Sequence, residues 1–197
     1  MLRIVLAISI LATTQVYAAV CPNHVNRILR YYVVSDLTDW VTGPSTPKGA
    51  NAVEFPKSSA WGCDIPGATW IWDSSIITSP TTDQTVNYYK EFFIPGIPVF
   101  GSFKVCADNS VWTKINGQSF GCDTPSGSFG TGCEKTCDVL PYLDSGFNYL
   151  NITVTNIGLS GGTTQSNPAG VLYKLSLSYS IDDDGVTDID DVDDYDD

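Results

Sequence analysis

The sequence predicts an all-β domain, a sandwich or barrel of short strands. Three observations support this fold class. β-Branched and aromatic residues occur in short runs, clusters of Gly, Pro, Ser, Thr and Asn separate the runs, and helical periodicity is nearly absent. The candidate strands are residues 28–34, 69–72, 86–94, 101–107, 111–115, 148–156 and 170–180.

Two of these strands, 101–107 and 148–156, alternate apolar with polar or small residues. Because successive side chains of a strand point to opposite faces, alternation gives each strand an inward and an outward side. The residues expected to share one core are Phe103, Val105, Leu150, Ile152 and Val154.

Turn and loop signals lie between the strands. Asn116-Gly117 predicts a tight hairpin, since both residue types tolerate the positive φ that such a turn needs. Residues 117–136 are rich in Gly and Ser and hold three cysteines, which indicates a long loop fastened by disulfides. Residues 158–170 predict another loop.

The first eighteen residues are typical of a secretory signal peptide. A basic start at Arg3 precedes an apolar run from Ile4 to Ala12, and Val16 and Ala18 are small residues placed as a cleavage signal. The alternative is a retained anchor. We therefore expect a domain over 19–181 that is secreted to the extracellular space or cell surface. No later segment has about twenty consecutive apolar residues, so no membrane span is expected in the mature chain.

An even number of cysteines in a secreted chain predicts three disulfides. Fifteen pairings of six cysteines are conceivable, and the sequence does not choose among them. A zinc site at the C-x3-C spacing of residues 133–137 is disfavoured, because the single histidine, His24, lies far upstream. The six are Cys21, Cys63, Cys106, Cys122, Cys133 and Cys137.

Charge is concentrated at the C-terminus. The whole chain has a formal net charge of −12, and residues 182–197 hold ten aspartates and no basic residue. The rest of the chain is nearly neutral. This balance excludes nucleic acid as an expected partner, because phosphate would be repelled.

The acidic tail contains a candidate calcium loop. Acids alternate around Gly185, and a hard cation needs six to eight converging oxygens. The segment "DDDGVTDIDDVDD" resembles thrombospondin type 3 repeats and, more loosely, an EF-hand loop, although Ser180 stands at the usual first acidic position. The alternative is a solvated acidic brush. The resemblance implies calcium ligands at Asp182, Asp184, the Val186 carbonyl, Asp188 and Asp191.

The body of the chain resembles the galactose-binding-like jelly rolls, modules appended to secreted glycoside hydrolases and to cell-surface proteins. Three features carry the resemblance: Ala107-Asp108-Asn109 at a strand end, Asn116-Gly117 after the next strand, and a Leu-x-x-Gly-x-Asn turn from Leu143 to Asn148. The resemblance covers about residues 65–180 and implies a jelly-roll sandwich. The matching stretches are 69–72, 88–95, 103–118, 143–156 and 167–178. Residues 20–64 and the cysteine-rich loop depart from the pattern.

Five tryptophans favour a binding function, since an exposed indole can stack on a sugar face. Trp70 and Trp72 share one side of their strand, so both are expected in the core or both semi-buried. Trp112 has the opposite phase to Val111, Thr113 and Ile115 and is expected to face outward. The candidate glycan-binding residues are Asp108, Asn109, Trp112 and Asn116. In the alternative interpretation, Asp108 and Asn109 only organise a turn.

Catalysis has little support in the sequence. A Ser-His-Asp or Cys-His site would depend on His24, and no motif pairs two carboxyl groups as a glycosidase requires. Asn151-Ile152-Thr153, in contrast, is an N-glycosylation sequon on the polar side of its strand.

Together these observations predict a secreted, non-catalytic module that binds glycan or a matrix surface with the assistance of calcium. The alternative is a structural subunit that self-associates into an extracellular fibril or coat. In that case the segment before residue 65 would add a strand to a neighbour's sheet.

Overall fold

The computed structural model describes residues 26–132 and 134–182, and it is an all-β jelly-roll sandwich, as predicted. The strands are β1 Asn26–Val34, β2 Trp40–Thr42, β3 Ala50–Asn51, β4 Val53–Glu54, β5 Ile71–Trp72, β6 Gln84–Ile94, β7 Ile97–Asp108, β8 Ser110–Ile115, β9 Gln118–Ser119, β10 Lys135–Asp138, β11 Gly146–Asn156 and β12 Gly170–Asp182. One 3-10 turn, Leu140–Tyr142, precedes β11. Within the described part of the chain, no helix has the length and apolar character needed to cross a membrane.

The strands form two antiparallel six-stranded sheets. Sheet A has the order β10-β7-β12-β5-β4, and β1 pairs with β12 along nine residues. Sheet B has the order β3-β2-β6-β11-β8-β9. Among the described residues, β1 pairs on one side only, so it is an edge strand of sheet A.

The core lies between the sheets, and the side chains that alternation predicted to share it do so. Phe103, Val105, Leu150, Ile152 and Val154 are all buried in one hydrophobic cluster. Trp70 and Trp72 are both buried, which is the first of the two outcomes expected for this pair. The period-two pattern therefore identified the inward faces of the long strands correctly.

Every predicted strand is present, but five short strands were missed. β2, β3, β4, β9 and β10 have two to four residues each. Such lengths carry no readable periodicity, and pairing with longer neighbours defines these strands. The predicted loop over 117–136 accordingly contains β9 and the start of β10.

Two disulfides join described residues. Cys63 pairs with Cys106 on β7, and Cys122 pairs with Cys137 on β10. The second bridge fastens the Gly- and Ser-rich loop to sheet A and uses the cysteine that a zinc site would have required. Cys21 and Cys133 lie outside the described residues, as does the expected signal peptide, so the third bridge stays a prediction.

Candidate functional site

The outer face of sheet B exposes six large aromatic side chains. Two of them, Phe93 and Phe147, pack edge-on against each other near one end of β6 and β11, and the other four are Trp40, Tyr89, Trp112 and Tyr149. Trp40 is 47% exposed, Tyr89 42%, Trp112 44% and Tyr149 51%. They lie on four adjacent strands, β2, β6, β8 and β11, whose opposite sides supply the core. We call this set of four residues the aromatic face. Exposed aromatic rings clustered on one surface are typical of a binding site rather than of a solvated face.

An open groove of about 560 Å³ lies on this face. The register places Trp40 opposite Tyr89, and Tyr89 opposite Asn151, in one row across β2, β6 and β11. Glu91 lies opposite Tyr149 in the next row. The groove thus combines three aromatic rings with a carboxylate and a carboxamide. Its lining residues are Thr38, Trp40, Tyr89, Lys90, Glu91, Tyr149, Leu150 and Asn151.

A second row beyond the groove leads to Trp112. Thr153 lies opposite Trp112 on one side and opposite Asn87 on the other. Its hydroxyl donates a 2.8 Å hydrogen bond to Asn87 Oδ1. Thr153 lies next to Trp112 and two residues from Asn151 on β11, so polar side chains lie between Trp112 and the three rings of the groove.

The position of Trp40 is determined by the segment that precedes β2. Lys90 Nζ lies 2.7 Å from Asp36 Oδ1 and 3.1 Å from Asp39 Oδ2, and it also donates to Thr38 Oγ1 at 2.7 Å. Tyr173 on β12 donates its hydroxyl proton to Asp39 Oδ1. Because Asp39 directly precedes Trp40, this junction between the two sheets holds the start of β2 in place. We call Asp36, Asp39, Lys90 and Tyr173 the charged junction.

The two carboxyl groups of the charged junction have different pKa shifts. Burial raises the pKa of Asp39 and outweighs the hydrogen bonds from Tyr173, the Asp36 amide and Lys90. Burial opposes ionisation of Asp36 as well, but the hydrogen bonds from Lys90 and Thr38 hold its pKa below the usual value. Asp36 Oδ1 is also nearer to Lys90 Nζ than Asp39 Oδ2 is, at 2.7 Å against 3.1 Å.

A glycine also helps to position the Trp40 side chain. The indole packs directly against Gly49, where any Cβ would overlap the ring. Gly49 also has φ 83°, a backbone conformation that favours glycine. One side of the indole is thus supported by backbone, and the remaining surface is open to a ligand.

Of the four candidate glycan-binding residues, the structure places only Trp112 on the aromatic face. Asp108 is buried and accepts a 2.8 Å hydrogen bond from Trp61 Nε1. Burial raises the pKa of Asp108 to about 6, against the effect of the Trp61 hydrogen bond. Asn109 Oδ1 accepts a 2.7 Å hydrogen bond from the Ile157 amide. Both side chains therefore organise the strand ends, which matches the alternative interpretation of these two residues.

Asn116 also has a structural role in this arrangement. It adopts φ 51° ahead of Gly117 at φ 79°, in the hairpin predicted between β8 and β9. Its Nδ2 donates to Tyr142 O at 3.0 Å and to Asn148 Oδ1 at 2.9 Å, and its Oδ1 accepts from the Tyr149 amide at 3.0 Å. The side chain thereby ties the hairpin to the turn that enters β11 and helps to position Tyr149.

Sequence reasoning missed Trp40, Tyr89 and Tyr149. A signal for Tyr89 was present in β6, where Val86, Tyr88, Phe92 and Ile94 share one phase and are all buried. Lys90 occupies the same phase as these buried residues. A charged residue at that position obscured the alternation that would have identified Tyr89 as outward-facing. Tyr88 points inward and donates its hydroxyl proton to Ile71 O at 3.1 Å, whereas its neighbour Tyr89 points outward.

The proposed calcium ligands cannot be placed on this surface. Asp184, Val186, Asp188 and Asp191 lie outside the described residues, and of Asp182 only the backbone at the end of β12 is described. Within 26–132 and 134–182, no cluster of three or more His, Cys, Asp or Glu side chains is arranged to hold a metal ion. Calcium binding by the tail stays a prediction.

Comparisons with known proteins give similarity to solved structures only. No protein-family model and no curated protein matches the chain. An FMN-binding β-glucuronidase from Faecalibacterium prausnitzii is similar over 77% of this chain and 23% of its own, at 19% identity and a TM-score of 0.46. A β-glucuronidase from Ruminococcus gnavus matches 82% of this chain and 30% of its own, at 12% identity and a TM-score of 0.45.

A family 35 carbohydrate-binding module from Clostridium thermocellum is similar over 74% of this chain and 97% of its own. Its sequence identity is 10% and its TM-score is 0.39. The chain therefore spans less than a third of the two glucuronidases but nearly the whole of the small module.

Proposed function

We propose that this chain is a secreted, non-catalytic module that binds glycan through the aromatic face of sheet B. The observation that carries the proposal is the groove bordered by Trp40, Tyr89 and Tyr149, with Glu91 and Asn151 at its polar positions. Pyranose rings present apolar C–H faces that stack on aromatic rings, and their hydroxyl groups bind carboxylates and carboxamides. This combination of groups suits a neutral sugar chain.

The dimensions of the face favour an oligosaccharide. Trp40 on β2 and Trp112 on β8 are three strand steps apart, since β6 and β11 lie between them. At about 4.8 Å per step, the strands that carry them are about 14 Å apart across the sheet. A single sugar ring would contact one end of the face only, whereas a short chain that crosses the strands would contact both ends.

The groove favours binding over hydrolysis. Glu91 is the only acid among the described residues that line it. Glycoside hydrolysis by the usual mechanisms needs two carboxyl groups held about 5–9.5 Å apart across the scissile bond. A single carboxylate beside aromatic rings serves instead as a hydrogen-bond acceptor.

The remaining parts of the proposal have separate support. Secretion is supported by the signal-like first eighteen residues and by the two disulfides, which are compatible with an oxidising compartment. The assistance of calcium is supported by the tail sequence alone. The proposed partner includes a matrix surface that presents glycan.

An oligosaccharide array followed by calorimetry, on protein produced without N-linked glycans, tests the proposal. Trp40→Ala and Tyr89→Ala should each weaken binding at least tenfold, since each removes a stacking surface. Phe100→Ala is the matched control, because Phe100 is an equally exposed aromatic residue on sheet A. Equal loss in all three variants, or no array signal at all, would overturn the proposal. Concentration-dependent filaments in electron microscopy would then support the self-assembly alternative.

A further inference from the structure

The sequon lies at the centre of the aromatic face. Asn151 is in β11, half-buried on the outer side of sheet B, and it lines the groove. The register places it between Tyr89 on β6 and Lys114 on β8. Asn151-Ile152-Thr153 is also the only Asn-x-Ser/Thr triplet in the sequence. A modification there would stand on the surface proposed to bind external glycan.

The local contacts leave the Asn151 carboxamide available. Its Nδ2 and Oδ1 have no hydrogen-bond partner within the described ranges, whereas the neighbouring outward side chain of Thr153 donates to Asn87. Ile152 between them is buried in the core. The strand can therefore pack normally with a bulky group attached to Asn151, because that group would extend into solvent over the sheet.

We propose that Asn151 carries an N-linked glycan that covers the aromatic face and closes it to external glycan. In the attachment step, Asn151 Nδ2 forms a bond to the anomeric carbon of an oligosaccharide carried on a lipid diphosphate. The nitrogen loses one proton, and the lipid diphosphate leaves with the electron pair of the broken C–O bond. The second half of the proposal, closure to external glycan, rests on the proposed function.

Geometry explains why the attached sugar would cover the groove. Tyr89 is one strand away from Asn151, about 4.8 Å, and Tyr149 is two residues away along β11, about 7 Å. The first sugar is thus within reach of both rings and can stack on either one. An external chain that runs from Trp40 toward Trp112 would have to cross this occupied row.

Occupancy of the sequon is tested first. The protein is secreted from a eukaryotic host, and its intact mass is measured before and after enzymatic removal of N-glycans. Asn151→Gln and Thr153→Ala should both abolish the mass increment, while Thr153→Ser, which retains the sequon, should keep it. An unmodified wild-type mass would overturn the proposal.

Coverage of the face is tested without any external sugar. Hydroxyl-radical footprinting should show at least threefold lower oxidation of Trp40, Tyr89 and Tyr149 in the glycosylated protein than after deglycosylation. Phe100 on sheet A should be oxidised equally in both forms. Equal oxidation of the groove aromatics in the two forms would overturn coverage, and this readout holds even if the proposed glycan-binding function is wrong.

Closure is tested with the wild-type sequence in two glycoforms. Protein secreted to a bacterial periplasm carries no glycan and should give array signals. The glycosylated form should give signals at least tenfold lower. Equal signals from both forms would overturn closure. Footprinting could show a covered face while neither form gives an array signal. That result would support glycosylation of Asn151 and would overturn the proposed binding function.

Discussion

Lys90 Nζ lies 3.1 Å from Asp39 Oδ2, and the Asp39 side chain is fully buried while that of Lys90 is only 14% exposed. The pair connects the inner side of β6 to the residue before β2. Tyr173 on β12 completes the connection, so the charged junction links both sheets at the point where Trp40 emerges onto the aromatic face. Stability and the proposed binding site therefore depend on the same contacts.

Removal of the cation should destabilise the fold strongly. Lys90→Met leaves the buried Asp39 carboxylate without its counter-charge, and such a loss costs about 3–5 kcal/mol in the free energy of unfolding. The double variant Lys90→Met/Asp39→Asn should recover much of that loss, because no buried charge is left unpaired. Urea unfolding measures both values. Lys104→Met, at an exposed lysine of β7, is the control and should change stability by less than about 0.5 kcal/mol.

The buried Asp108 should make stability fall as pH rises. Burial raises the pKa of Asp108 to about 6, above its usual value of 3.8, so the folded state binds the proton more tightly than the unfolded state. The stabilisation is therefore complete below about pH 4 and is lost as pH rises through about 6. A shift of about two pKa units corresponds to roughly 3 kcal/mol.

Asp108→Asn isolates this contribution from the other acids. The amide oxygen can still accept the hydrogen bond from Trp61 Nε1, but it does not titrate. Asp39 and Asp73 also have raised pKa values, and Asp36 has a lowered one, so the informative quantity is the difference between variant and wild type. That difference should grow in favour of the variant between pH 4 and about 7 in urea titrations. Parallel pH profiles would contradict the assignment to Asp108.

Long strands made much of the fold predictable, whereas short strands hid the site. Leu150, Ile152 and Val154 alternate within an eleven-residue strand, and local periodicity alone places them in the core. Trp40 belongs to a strand of three residues. Its exposure depends on the bond between Asp39 and Tyr173, which are 134 residues apart in sequence. Neither composition nor spacing carries that information.

The orientation of the Asp108 side chain was likewise not predictable from the sequence. The Ala-Asp-Asn step marks a strand end correctly, but the sequence around it does not indicate which way the carboxylate points. That direction is determined by Trp61, 47 residues earlier, whose indole nitrogen donates to Asp108 and whose ring stacks on Trp70 with centroids 4.1 Å apart. Residue type alone suggested a ligand-binding acid, whereas the structure shows a buried carboxylate that accepts a hydrogen bond from a distant tryptophan.

The third disulfide should join Cys21 and Cys133. The four other cysteines pair with one another among the described residues, which leaves these two. Reduction should then raise the intact mass by about six hydrogen atoms, two for each bridge. Peptide mapping of the unreduced protein should recover a linked pair that contains both residues. Cys21→Ser should expose one titratable thiol at Cys133, and two stable free thiols in the wild-type protein would contradict the three-bridge framework.

A calcium loop in the acidic tail can be distinguished from a solvated brush by its dependence on individual residues. A brush of ten carboxylates attracts cations diffusely and less as salt rises. A loop binds one ion through named ligands, and Gly185 favours it because a sharp turn is needed there. Ser180, at the usual first acidic position, indicates modest affinity, on the order of the 10⁻⁴–10⁻³ M of extracellular sites.

Calorimetry of the whole protein in about 150 mM salt, where diffuse attraction is largely screened, provides the measurement. Wild type should bind about one calcium ion saturably, as a single loop does, and Asp184→Ala should abolish that binding. Asp197→Ala removes the same charge outside the proposed ligand set, so it should leave the affinity nearly unchanged. If both variants weaken binding equally and slightly, each carboxylate contributes only to the average field, and the tail is a brush.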